Sequence, residues 1–237
     1  MSPSPPALAR IAAPRPALDR LLEDLGPALR RGPAAEESRP PLATGLADLD
    51  ARLGGGLAPG RISELCGPAS SGRTALALAL LARATGAGAA VAAVDPGDAF
   101  HPASAAATGV ALERVLWARP PDPAAALRCC ERLLQTGGFA AVWLDAGRSA
   151  RAWSALPAAA WQRLDRAAAA TGTALLVGAP QRLAGPRADL ALELRARRAR
   201  FEGQPRLFEG LELEVAVSRA RRGPTGTPAA LLVRVQE

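Results

Sequence analysis

The chain has 237 residues, of which 29 are basic and 22 acidic, and its formal net charge at pH 7 is +7. This length allows one α/β core with a short extension. Every basic side chain is an arginine, so chemistry that needs a lysine ammonium group is excluded. The positive charge favours polyanionic partners, and charge alone does not choose among nucleic acid, acidic proteins and anionic membranes.

The sequence contains no apolar stretch of the about 18 residues that a membrane span needs. Residues 1–30 carry prolines and acids where a secretory signal would be apolar. Cys66, Cys129 and Cys130 lack metal-ligand spacing, which is typical of reduced packing thiols. We therefore expect a cytoplasmic protein with no membrane association and no metal-ligand cluster.

Residues 1–41 predict a proline- and arginine-rich arm ahead of a core at residues 42–237. Five leucines of the arm fall on one face of a predicted amphipathic helix, interrupted at Gly26-Pro27: Leu18, Leu21, Leu22, Leu25 and Leu29. This helix either packs on its own core or docks on a partner or a neighbouring subunit. The sequence does not separate the two alternatives.

From Leu42 onward, short apolar runs alternate with helical segments. The runs predict strands buried on both faces of a parallel sheet, at Arg61–Cys66, Ala89–Asp95, Ala140–Asp145 and Thr173–Gly178. Helices are predicted at Gly72–Thr85, Pro123–Gln135 and Pro157–Thr171. Rough alternation after Gly185 predicts antiparallel strands at Asp189–Arg195, Leu211–Arg219 and Ala229–Gln236. The predicted fold class is therefore α/β, with a mostly parallel central sheet and antiparallel C-terminal strands.

The strongest local motif is Gly67-Pro68-Ala69-Ser70-Ser71-Gly72-Arg73-Thr74, between a predicted strand and a predicted helix. Its spacing fits a phosphate-binding loop, except that arginine stands where the motif has lysine. Backbone N–H groups and the helix N-terminus favour an anion whatever the side chain is. The planar, forked guanidinium does not replace the compact ammonium group conservatively. A glycine-rich turn without a ligand is the alternative interpretation.

This loop and the segments before it resemble the entry to the bacterial RecA core. The similar stretches are Thr44–Asp50, Gly54–Leu65 and Cys66–Thr74, and the similarity continues through Asp95 to Asp145. The resemblance implies a RecA-like P-loop core. It also implies a degenerate nucleotide site at Gly67, Ser70, Ser71, Gly72, Arg73 and Thr74, with Asp145 as the acid for magnesium. ATP with Mg²⁺ would bind such a site weakly at most.

The departures from RecA-type ATPases are as informative as the matches. The position of the family's catalytic glutamate is Gly97, with Asp98 one residue further on as a displaced substitute. The position of the aromatic residue that stacks on adenine is Ser104, after His101-Pro102. Gln181 stands near the place of the γ-phosphate-sensing glutamine, and the loop that follows is short. We therefore expect no catalytic residues and no recombinase activity.

Two further groups are candidates for nucleic-acid contact. Arg195, Arg197, Arg198 and Arg200 form a basic run that would track a phosphate backbone, joined by Arg219, Arg221 and Arg222. A solvated face balanced by nearby glutamates is the alternative. The tryptophans are expected to pack in the core, with base stacking as the alternative for Trp153 in the loop after Asp145, and His101 is expected to be structural.

Among bacterial proteins with a degenerate RecA core, the chain looks most like ImuA of the DNA-damage mutagenesis cassette. That resemblance implies an adaptor for error-prone translesion synthesis in the SOS response. Its partners would be an ImuB-like Y-family polymerase homologue and a replicative-type error-prone polymerase, with RecA and single-stranded DNA as further candidates. The alternatives are a DNA-dependent ATPase or recombinase-like protein and a SulA-like cell-division inhibitor.

Overall fold

The computed structural model of the chain describes residues 40–147, 151–204, 207–221 and 229–234. The predicted arm therefore lies, up to residue 39, outside the described residues. The helices are α1 Ala47–Arg52, α2 Arg73–Gly86, α3 Pro102–Ala107, α4 Pro123–Thr136, α5 Arg151–Ser154 and α6 Ala158–Thr171. The strands are β1 Ile62–Cys66, β2 Ala90–Val94, β3 Val115–Ala118, β4 Phe139–Asp145, β5 Ala174–Ala179, β6 Ala188–Glu202, β7 Leu207–Ala220 and β8 Ala229–Arg234.

These strands form one sheet in the order β3-β2-β4-β5-β1-β6-β7-β8. The strands from β3 to β6 in this order run parallel, and β7 and β8 are added antiparallel. The predicted fold class is confirmed. Strand β6 pairs antiparallel with β7, as predicted, and it also pairs in parallel with β1 on its other side.

The central strands bury both faces, because successive side chains of a strand point to opposite sides of the sheet. Val91 and Ala93 of β2 join one core cluster with α2 and the inner face of β7. Ala92 and Val94 of the same strand join the second cluster, with α4 and α6. Helices therefore cover both faces of the parallel part of the sheet, as its continuous apolar runs predicted.

The four predicted core strands and three predicted helices match the observed bounds to within one residue at each end. Strand β3 was not predicted. It has four residues, lies at the sheet edge and leaves Leu116 44% exposed, so its apolar run is too short and too open to stand out. Within the described ranges, no helix is long and apolar enough to cross a bilayer.

The parallel arrangement decides where chemistry can occur. The carboxyl ends of β1, β2, β4 and β5 all lie at one edge of the sheet, and ligands of open α/β sheets bind outside that edge. The segments that follow these strands are residues 67–74, 95–98, 146–147 and 180–187. All the candidate nucleotide residues belong to these segments or to the end of β4.

Candidate functional site

The phosphate loop has the backbone conformation that its glycines predicted. It leaves β1 at Gly67 and enters α2 at Gly72, which caps the helix in the left-handed region with φ of 90°. A Cβ on Gly67 would lie 2.4 Å from the Leu194 carbonyl oxygen, and one on Gly72 would lie 2.4 Å from Leu213 Cδ2. Both glycines are therefore required by the fold, because strands β6 and β7 pack directly against the loop.

The remaining loop positions divide into exposed and buried ones. Ser70 is exposed with φ of 60°, an uncommon conformation for a residue other than glycine, and Thr74 is exposed at the start of α2. Ser71 is buried, and its hydroxyl has no hydrogen-bond partner among the described residues. The six predicted loop residues thus lie together at a helix N-terminus, the arrangement that binds an anion.

Arg73 does not extend freely from this loop. Both terminal nitrogens of its guanidinium donate to the Gly147 carbonyl oxygen, each at 3.3 Å, just beyond the end of β4. Burial lowers the pKa of Arg73, and the nearby Asp145 carboxylate acts in the opposite direction. The side chain that replaces the phosphate-binding lysine is therefore engaged with the protein's own backbone.

Asp145, the acid expected to serve magnesium, is engaged with the same turn. Its Oδ1 accepts the Gly147 N–H at 2.9 Å. Burial raises the pKa of this carboxyl, Asp95 adds to the effect, and the Gly147 N–H and Arg73 oppose it. The described residues contain no group of three or more His, Cys, Asp and Glu side chains suited to a metal ion. The loop fits a phosphate anion, and Thr74 and Asp145 are the residues that would hold magnesium beside it.

Asp95, the acid that directly follows β2, already accepts a backbone hydrogen bond. Asp95 is buried, and its Oδ2 accepts the Phe100 N–H at 2.7 Å. Gly97, at the glutamate position, is exposed, and a Cβ built on it would meet only Asp95 Oδ1, at 3.8 Å. Asp98 pairs with Arg119 at 3.3 Å, where both side chains are more than half exposed. Asp98 is thus held by an exposed ion pair only, whereas Asp95 accepts a backbone N–H in the buried interior.

The place of the adenine stack carries a helix cap. His101 Nδ1 accepts the Ser104 N–H at 3.2 Å and lies 2.9 Å from the Ser104 hydroxyl, so the two residues close the N-terminus of α3. His101 is structural, in agreement with the sequence interpretation. Ser104, at the position of the family's aromatic residue, offers no aromatic face to a base.

Glu64 is a residue that sequence reasoning missed. It lies in β1, is 1% exposed, and its Oε1 accepts the N–H groups of Leu183 and Ala184 at 2.6 and 2.7 Å. Arg182 approaches its second oxygen at 3.6 Å. The loop after β5, which begins with the exposed Gln181, is thereby anchored to the sheet. The available signal was a single acid inside a buried strand, since such an acid needs partners.

The basic run lies on the exposed face of a long β6–β7 hairpin. All four of its arginines are exposed: Arg195, Arg197, Arg198 and Arg200. Arg197 pairs with Glu214 and Arg200 pairs with Glu212, across the antiparallel register. Two of the four charges are thus compensated by glutamates, which is the pattern of the solvated-face alternative.

Two other nucleic-acid candidates have structural roles. Trp153 is 4% exposed and lies in the second core cluster, so it packs in the core as expected and its ring is not available to a base. Arg219 donates to the carbonyl oxygens of Ala188 and Pro186, and Arg221 also donates to Pro186. These two arginines hold the turn that leads into β6. Arg222 lies outside the described residues.

The cysteines fit the packing interpretation. Burial, with a smaller contribution from Glu64, raises the pKa of the Cys66 thiol to about 12. Cys130 is fully buried, and burial raises the pKa of its thiol as well. These two thiols are therefore protonated and unreactive at neutral pH.

Comparison with known proteins agrees with this architecture. The family model described as RecA N-terminal domain matches residues 25–152. Protein RecA from Crocosphaera subtropica is 38% identical over 120 residues, which are 51% of this chain and 34% of that protein. The chloroplastic DNA repair protein recA homolog 1 of Arabidopsis thaliana is 33% identical over 148 residues, 60% of this chain and 34% of that protein. The chain spans about a third of the length of these curated relatives.

Among solved structures, the RadB recombinase superposes with a TM-score of 0.63 and 25% sequence identity. The superposition covers 80% of this chain and 94% of that chain. It therefore includes most of the sheet and extends beyond the segment that the family model matches.

Proposed function

We propose that this chain, which belongs to the RecA N-terminal domain family, is a RecA-like accessory protein of DNA-damage tolerance and not a recombinase. It acts as an ImuA-like adaptor in error-prone translesion synthesis. Its partners are an ImuB-like Y-family polymerase homologue and a replicative-type error-prone polymerase. Fold resemblance alone does not assign a function, so the proposal depends on the site.

The observation that carries the proposal is the state of Arg73 within a preserved loop. The fold keeps the strand, turn and helix that cradle a phosphate, while the Arg73 guanidinium donates to the Gly147 carbonyl oxygen. Around it, Gly97 supplies no general base and Ser104 supplies no aromatic stack. A protein with this scaffold and without this chemistry works through its surfaces.

The direct test is capture of partners from cells with damaged DNA. The tagged chain, purified before and after damage and analysed by mass spectrometry, is expected to recover a polymerase-like protein only after damage. Removing ATP from the extract with apyrase is expected to leave this capture unchanged, because the adaptor role does not depend on nucleotide. Capture of no replication or repair protein would contradict the proposal.

A DNA-dependent ATPase or recombinase is the second candidate. It is favoured by the 38% identity to Protein RecA over 120 residues and by the likeness to the RadB recombinase. It requires ATP turnover that rises with single-stranded DNA and disappears in Arg73→Ala. The adaptor proposal requires the absence of that turnover, so one assay separates the two.

Single-stranded DNA remains a candidate ligand of the β6–β7 hairpin. Arg195 and Arg198 are exposed and have no ion pair with a described side chain, unlike Arg197 and Arg200. If they contact phosphates, the charge-reversed pair Arg195→Glu and Arg198→Glu should weaken binding and reduce the slope of log affinity against log salt by about 1.4. Arg128→Glu on α4 is the matched control, because that arginine is also exposed but lies on another element.

A further inference from the structure

The turn after β4 is held from both sides. Gly147, with φ of 70°, donates its N–H to Asp145 and accepts the Arg73 guanidinium at its carbonyl oxygen. Arg73 lies 74 residues earlier, at the start of α2. The Arg73 side chain therefore connects the phosphate loop to the turn that follows β4. Both segments lie at the carboxyl ends of the parallel strands, where the candidate nucleotide residues are.

The type of side chain matters for this connection. Arginine is charged at any pH near neutrality, and its fork places two N–H groups on one oxygen. Its partner is a backbone carbonyl, which is present whether or not a nucleotide is bound. The guanidinium is half-buried, and the Asp145 carboxylate lies close enough to influence it electrostatically. The local charges are thus partly balanced from within the protein.

We propose that Arg73 is an internal strap that holds the turn after β4 against the phosphate loop in the absence of any nucleotide. The carboxyl edge of the sheet then keeps one arrangement whether or not ATP is present. This inference concerns the loop itself and does not depend on the adaptor role. A failed partner capture would leave it intact, whereas its own failure would remove the observation that carries the adaptor proposal without changing the result of the capture experiment.

Hydrogen exchange of the full chain, read by mass spectrometry, tests the strap. Arg73→Ala should accelerate exchange about tenfold in peptides that contain Asp145–Gly147, since a lost hydrogen bond to a charged group corresponds to roughly that factor. Peptides confined to the buried part of β4 should not change. Arg83→Ala is the matched control, because Arg83 is an exposed arginine in the last turn of the same helix.

Nucleotide provides the second arm of the experiment. In the wild-type chain, millimolar ATP with Mg²⁺ should change the exchange rate of the Asp145–Gly147 segment by less than about twofold. Such a change corresponds to a fraction of the free energy of one hydrogen bond. Unchanged exchange in Arg73→Ala, or strong ATP-dependent protection in the wild type, would overturn the proposal. If Arg73→Ala does not fold, Arg73→Met carries the same test, since it keeps an unbranched side chain and has no N–H donor.

Discussion

Gly72→Ala should destabilise the protein by about 2–5 kcal/mol, although it adds one methyl group. The residue adopts φ of 90°, and a left-handed conformation costs a residue with a Cβ about 1–2 kcal/mol. The new Cβ would also lie 2.4 Å from Leu213 Cδ2, in a side chain that is fully buried. Overpacking of this kind costs about 1–3 kcal/mol more.

The assay is urea unfolding at neutral pH, with Gly86→Ala as the control. Gly86 ends the same helix, no atom lies within 4 Å of the position that a Cβ would take there, and its φ is not in the left-handed region. Alanine there should be neutral or stabilising by up to about 1 kcal/mol. In a Leu213→Ala background the added cost of Gly72→Ala should fall to the backbone part, about 1–2 kcal/mol. A free energy of unfolding within about 0.5 kcal/mol of wild type for Gly72→Ala would refute the reasoning.

Three further predictions concern the acids and the loop. In a steady-state phosphate-release assay, Arg73→Lys alone should give no ATP turnover above background. Adding Gly97→Glu should raise the rate about 100-fold or more over that background, the usual contribution of a general base. Turnover with Arg73→Lys alone would show that another acid serves as the base. Glu64→Ala should lower the free energy of unfolding in urea by about 2–5 kcal/mol, because two N–H groups lose their acceptor. Glu64→Gln keeps an acceptor oxygen and should lower it less, so equal losses for the two variants would contradict this. Asp145→Asn should be more stable than wild type at pH 7, because the raised pKa means that the folded chain releases this proton less readily than the unfolded chain. That difference should disappear below about pH 3, where the folded and the unfolded wild type both carry the proton, and a difference independent of pH would argue against the assignment.

The sequence predicted most of the sheet because its central strands are continuous apolar runs. It missed β3, whose Leu116 is exposed at the edge, and it ended β6 at Arg195, although the strand continues to Glu202, because arginines interrupt the alternation after Leu194. The bulges in the β6–β7 register show the same irregularity. The parallel pairing of β6 with β1 joins residues that are far apart in the sequence, so no local pattern predicts it.

For the candidate site, spacing predicted the loop, and the resemblance to RecA-type ATPases implied that their glutamate is replaced by Gly97. The sequence did not predict which parts of the protein the side chains contact. The position of Trp153 after β4 left base stacking open as an alternative, and the structure shows that it packs in the core. The contact between Arg73 and Gly147 spans 74 positions and depends on how β1 and β4 are placed in the sheet. Such contacts require the fold, which is why the sequence identified the loop but not its partner.

The most direct test of a degenerate nucleotide site is steady-state ATP hydrolysis by the purified chain, with and without single-stranded DNA, compared with Arg73→Ala. We expect the wild type and the variant to give the same background rate, and DNA to have no effect on either. DNA-stimulated turnover in the wild type that is lost in Arg73→Ala would contradict this expectation.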